Sequence, residues 1–294
     1  MTGRKTIGIY PLHGDETCWL LAADFDKKTW QEDSLAFLAT CHRARIPGYL
    51  ERSRSGNGGR VWIFFEVPVP AVLARKMGCA LLTQTMELRH QMGLDSYDRF
   101  FPNQDTLPKG GFGNLIALPL QWMPRQNGNS LFVDDGLHPY PDQWQLLLSI
   151  RRVGADQVEW IVNDATRRDQ VMGVKFPMMD NGAEDAPWAL TPSGRKAEKT
   201  IPGPFPESVE IVRSNLLFIP KVGLPEPMLN RMIRVAAFQN PEFYKAQAMR
   251  LPTWDKPRAI SCSEEFSQHL AVPRGCLQDV REPRGEYGCG TLDT

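Results

Sequence analysis

Between Met178 and Pro206 the chain reads MMDNGAEDAPWALTPSGRKAEKTIPGPFP, a stretch crowded with proline, glycine and charge that follows neither the 3.6-residue nor the two-residue period. Regular structure cannot run through such a segment, so it divides the 294 residues. The division predicts a larger first domain over residues 1–177, a linker over 178–206, a small α/β region over 207–276 and a frayed tail over 277–294. Two parts also suit a length above the ~100–200 residues of one ordinary domain.

With 42% hydrophobic and 23% charged residues the chain has an ordinary globular composition, which excludes collagenous, coiled-coil and wholly disordered architectures. Basic and acidic residues number 34 each, so no global field advertises a polyanion, and any such partner must be met by a local patch. No apolar run is long enough to span a bilayer, and Met1-Thr2-Gly3-Arg4-Lys5 leads into no secretory core, which predicts a cytoplasmic protein. The six cysteines form no C-x-x-C pair and the five histidines no H-x-x-x-H pair, so they read as reduced thiols and dispersed imidazoles.

Local patterns give an α+β order. CWLLAADFD (residues 18–26) reads as a buried strand ending in two acids. A helix then follows from a capping box at Thr29 to Glu32 until Pro47-Gly48 stops it. RSRSGNGG is a glycine-rich turn leading into the strand Val61–Phe65, which Pro68 and Pro70 are expected to end. The spacing of Val72, Cys79, Leu82 and Met86 predicts a helix over 71–91. A loop then precedes a short strand over 114–118, and two helices break near Gly154. Beyond the linker the patterns predict a strand over 209–219 and helices over 227–238 and 241–249.

Chemistry concentrates in the first part. Asp24 and Asp26 lie two apart on a strand, leave the same face, and supply hard oxygen ligands suited to a divalent cation. A D-x-D alone equally fits two acids at a wet strand end, or the diphosphate site of a nucleotide-sugar glycosyltransferase. Glycines in Ser55-Gly56-Asn57-Gly58-Gly59-Arg60 can bring backbone N–H groups near phosphate, and Arg60 adds a bidentate contact; the plain alternative is a hairpin turn. Residues 41–60 carry five arginines, Arg52 and Arg54 among them, against the single acid Glu51. Asp98, with Asp105 in reserve, offers a third carboxylate, and Lys109 and Asn114 flank another glycine loop. Three acids beside phosphate-binding loops suit phosphoryl transfer assisted by two metal ions. Trp62 and Phe64 alternate along their strand and are assigned to packing in preference to base stacking.

Four stretches resemble the archaeo-eukaryotic primase superfamily, in particular the primase–polymerase module of TOTE conflict systems. They are TIGIYPLHGDETCWLLAADFD, ERSRSGNGGRVWIFFEVPVPA, LDSYDRFFPNQDTLPKGGFGNLIALPLQ and LNRMIRVAAFQNPEFYKAQAMRLPTWDKPR. The resemblance implies an RRM-like catalytic sheet flanked by helices, and template-directed joining of nucleoside triphosphates with Mg²⁺ or Mn²⁺. It places Asp24, Asp26 and Asp98 on metals and catalysis. Ser55, Gly56, Asn57, Gly58, Arg60, Lys109 and Asn114 fall on the nucleotide, and Arg52 and Arg54 on a DNA or RNA template-primer.

Two features depart from the family pattern. The second motif normally ends in histidine, and Arg60 stands there. Arginine binds phosphate but cannot serve as a neutral imidazole near pH 7, so the alternative reading is a catalytically impaired nucleotide- or nucleic-acid-binding module of the same fold. Relatives continue into a superfamily 2 helicase, whereas these residues contain no G-x-x-x-x-G-K-[ST], which leaves a stand-alone product, a truncated gene and a split system with a separately encoded superfamily 2 helicase all open.

Overall fold

A computed structural model describes residues 6–168, 170–172, 174, 206 and 208–281. The expected linker and most of the expected tail therefore lie outside the described residues. The chain is of the α+β class, and its contacts divide it into two compact units.

The first unit is built on an antiparallel sheet of β2 (Thr17–Phe25), β3 (Tyr49–Arg52), β4 (Gly59–Pro70), β5 (Phe100–Phe101) and β7 (Leu131–Val133), in the order β5-β2-β4-β3-β7. A separate ribbon pairs β1 (Gly8–Ile9) with β6 (Ile116–Ala117). Strand alternation sorts the side chains onto two faces. On one face Leu21 and Phe25 meet α2 (Ala71–Met86) and α1 (Trp30–Arg43): Leu21 lies against Gly78 and the Phe25 ring against Phe37. A Cβ added at Gly78 would stand 2.7 Å from Leu21, so glycine is what lets α2 lie this close to β2. On the other face Leu20, Ala22, Trp62 and Phe132 pack with Ile116 of the ribbon. Leu146 and Leu147 of α4 (Gln143–Leu148) join them, leaving the ends of β2 and β4 open.

Several expectations are met with revisions that have local causes. The helix after β2 forms, but its capping box does not: the Thr29 hydroxyl donates to the Asp33 carboxylate at 2.7 Å and leaves the backbone N–H groups uncapped by side chains. β4 runs on through Pro68 and Pro70, because this end pairs with β2 alone, past a bulge between Cys18 and Leu20, and a strand with one neighbour tolerates residues lacking an N–H. α2 stops at Met86 and is buried on almost every side, being packed against the sheet, α1 and α5 (Ala155–Arg167) together. The break between α4 and α5 falls, as expected, before Ala155. α3 (Trp122–Arg125) is a single turn.

In the second unit, β8 (Val212–Arg213), β9 (Leu217–Pro220), β12 (Glu264–Glu265) and β13 (His269–Val272) form an antiparallel sheet in the order β12-β13-β9-β8. Its Leu217, Ile219, Leu270 and Val272 bury Met228, Leu229 and Met232 of α6 (Glu226–Val235) and Val280 of α8 (Leu277–Arg281). β10 (Ala237–Gln239) pairs with β11 (Ala259–Ser261). The single strand expected over 209–219 is two, because Ser214-Asn215 makes a tight turn between them. The expected tail starts as α8, held by Val280, which is buried.

The domain boundary falls elsewhere than the linker suggests. The first unit comprises residues 1–172 together with 242–258, which takes in nearly all of α7 (Pro241–Ala248). Polar bonds make the returning segment part of it. Arg258 N–H donates to Asp98 at 3.0 Å, Gln247 to Asp105 at 2.8 Å, Gln104 to Thr253 at 3.0 Å and Tyr244 to the Met172 sulfur at 3.0 Å.

Candidate functional site

Where the sheet's second face is left open, Asp24, Asp26, Ser53, Arg54, Ser55, Asn57, Gly58 and Arg60 line a cleft of about 420 Å³, with Phe25, Ala117 and Pro124 completing its wall. The glycine-rich segment is a hairpin turn joining β3 to β4, so the plain reading of it and the functional one describe the same loop. It closes through Ser53 N–H to the Gly58 carbonyl at 2.8 Å and Gly56 N–H to the Ser53 carbonyl at 3.0 Å. Gly56 has φ of +79°, which only glycine adopts freely, and it lies against the Asn129 side chain and does not line the cleft. A Cβ at Gly58 would meet the Phe25 carbonyl at 2.7 Å, so the smallest residue keeps the loop against the end of β2.

Strand pairing places Asp24, Arg60 and Glu51 in one row across β2, β4 and β3. Arg60 Nε donates to Asp24 Oδ1 at 2.7 Å, and its Nη1 lies 4.0 Å from Glu51 Oε2. Glu51 is fully buried; Trp62 Nε1 donates to it at 2.8 Å and the Ser130 hydroxyl at 3.4 Å. Burial pushes the Glu51 carboxyl up to about 7, against the opposing pull of Arg60 and of those two hydrogen bonds. Asp26, half exposed just past β2, is bound by Arg99, which also faces Asp95 at 3.6 Å. Trp62 is buried and stacks on Phe64, with ring centres 6.2 Å apart and planes 9° apart, in agreement with a packing role.

The structure gathers some of the expected residues and separates others. Asp24, Asp26, Ser55, Asn57, Gly58, Arg60 and Arg54 share the cleft. Asp98 does not: it lies under the returning segment, accepting from Arg258 N–H, with Arg258 Nε 3.5 Å away. Burial raises its carboxyl to about 6. Asp105, the reserve, pairs with Arg75 at 3.0 Å. Asn114 clips the Phe100 carbonyl and the Asn103 N–H and does not line the cleft. Lys109 binds the Arg250 carbonyl through its backbone, Arg52 donates to the Leu137 carbonyl at 3.0 Å, and neither lines the cleft.

Sequence reasoning missed Ser53 and above all Glu51. The available signal was parity: Glu51 is the one acid among five arginines and pairs with Arg60 across a turn of known length.

The ends of β2 and β4 in this antiparallel sheet thus bring paired acids, arginines and a glycine hairpin together around one cleft. The family model described as TOTE conflict system, Archaeo-Eukaryotic Primase domain, matches residues 1–161, and the chain belongs to that family. It is thus a primase-like domain of a conflict system, a class that acts on nucleoside triphosphates and nucleic acid. A comparison with curated proteins gives no match. Among the described residues no helix is long and apolar enough to cross a membrane.

The family implies divalent ions, and the residues as placed do not fit them. Each carboxylate of the D-x-D already holds an arginine, and no three acids, histidines or cysteines converge among the described residues.

Proposed function

We propose that the cleft binds a nucleoside triphosphate beside a DNA or RNA template-primer, and that the chain's reaction is template-directed nucleotidyl transfer in defence against, or by, a mobile element. The observation that carries this is the convergence of Asp24, Asp26, the Ser53–Gly58 hairpin and Arg60 on one cleft of a chain of this family. Ser53 and Ser55 hydroxyls and the Asn57 amide supply hydrogen bonds for phosphate oxygens, while Arg54 and Arg60 supply positive charge. Asp24 and Asp26 would accept a hydrogen bond from the attacking hydroxyl and aim it at the α-phosphate, pyrophosphate leaving and the proton passing to water, the sort of positioning on which phosphoryl transfer chiefly depends. The RRM-like character of the sheet, an accessory role for the second unit and a separately encoded helicase partner belong to the same proposal.

A second reading, nucleotide binding without turnover, is favoured by one specific observation: Arg60 occupies Asp24 where the family has histidine. Extension of a labelled primer with Mg²⁺ or Mn²⁺ separates the two. Extension by the native chain that Asp24→Ala/Asp26→Ala abolishes supports the transferase. Inertness of both the native chain and Arg60→His, with nucleotide still bound, sinks it.

A further inference from the structure

On the reading that the cleft holds a triphosphate, we infer that Arg60, braced by the buried Glu51, is a built-in cation on Asp24, so that phosphates are met there by guanidinium instead of a divalent ion. Three features carry this. First, Asp24, Arg60 and Glu51 stand in register on adjacent strands, so the guanidinium is placed by the sheet itself and not by a mobile loop. Its side chain is 17% exposed and that of Asp24 21%, which shields the pair from solvent screening. Second, Glu51 cannot turn away: Trp62 and Ser130 bond its two oxygens, and Arg60 Nη1, buried with no hydrogen-bond partner of its own, faces it at 4.0 Å. Third, the other acid of the pair is treated alike, since Arg99 holds Asp26 and is itself tied to Asp95.

A divalent ion arriving at Asp24 would have to displace this guanidinium and then sit beside it. Arginine has five N–H donors in a rigid fork, and Asp24 takes the Nε–H. The remaining donors, with Arg54 across the cleft, can accept an anionic oxygen while the ion pair stays intact.

The test uses the full chain with two probes, Mn²⁺ alone, followed by the electron paramagnetic resonance signal of the free ion, and ATP in excess EDTA, followed by calorimetry. A neighbouring opposite charge lowers a carboxylate's affinity for a proton by about one to three powers of ten, and a metal ion faces the same competitor. Arg60→Ala is therefore expected to raise Mn²⁺ affinity about tenfold or more, and to weaken ATP binding in EDTA by a similar factor. Arg60→Lys, which keeps the charge, should recover most of both and guards against a variant that merely folds poorly. The inference is overturned if the native chain already binds Mn²⁺ as tightly as Arg60→Ala, or if EDTA abolishes its ATP binding. ATP bound in EDTA with no primer extension removes the proposed turnover and leaves this inference standing; extension by a chain whose ATP binding vanishes in EDTA does the reverse.

Discussion

Replacing Glu51 by glutamine isolates one buried charge. The carboxyl is fully buried, and burial raises it from an ordinary 4.5 to about 7. Each unit of such a shift corresponds to ~1.4 kcal/mol, so ionising the group in the folded chain costs about 3 kcal/mol more than in the unfolded one. A raised acid is protonated in the native state over a range where the unfolded chain has already lost its proton. Stability from this group is therefore full below about 4.5 and declines as pH rises to about 7. Glutamine keeps the acceptor for Trp62 Nε1 and a partner for Ser130 but carries no proton equilibrium. In urea unfolding followed by tryptophan fluorescence, Glu51→Gln and the native chain should be within ~1 kcal/mol of each other at pH 4.5, and the variant should gain by about 3 kcal/mol at pH 8. Comparing both proteins at the same pH cancels the titrating groups that are not coupled to Glu51, which leaves Arg60 and Asp24 as its neighbours in the difference. A difference that stays constant from pH 4.5 to 8 would refute the reasoning, because it would mean that Glu51 titrates in the fold as it does in water.

Further expectations concern packing and the nucleic-acid surface. Arg258→Ala should lower stability by about 2–4 kcal/mol, since it empties the space that the buried guanidinium fills over the Phe243 ring, and thermal unfolding would show the loss. Gly78→Ala should cost about 1–3 kcal/mol by forcing α2 away from Leu21 and Phe100; an unchanged melting temperature would mean that the helix shifts freely. Arg54→Ala should reduce the salt dependence of oligonucleotide binding by about one counterion, whereas Arg52→Ala should change that slope less, because Arg52 lies outside the cleft with its guanidinium turned to the Leu137 carbonyl.

The parts of this fold that could be read from the chain are those governed by local rules. β2, α1, β4, α2 and the break before α5 follow from apolar period, turn residues and proline, and Asp24, Asp26 and the hairpin follow from spacing. Long-range pairing decided the rest. Asp98, Asp105 and Asn114 are polar residues in a loop, which sequence alone cannot distinguish from ligands; their partners Arg258, Gln247 and Phe100 lie up to 160 residues away. Proline ended β4 in the reading and not in the structure, because whether a missing N–H matters depends on whether a neighbouring strand asks for it. Glu51 escaped notice because a buried acid is rare, and its burial is visible only once β3 is known to be flanked by β4 and β7.

The interrupted course of the first unit has a consequence for biogenesis. Asp98, Gln104 and Asp105 each have a partner in residues 242–258, in Arg258, Thr253 and Gln247. On a ribosome adding ~5–20 residues per second, the sheet emerges several seconds before those partners. During that interval Arg75 and the loop before β6 face water without the segment that covers them. A nascent chain halted between residues 172 and 242 should therefore be more readily cut by protease within 98–107 than one carried past 258.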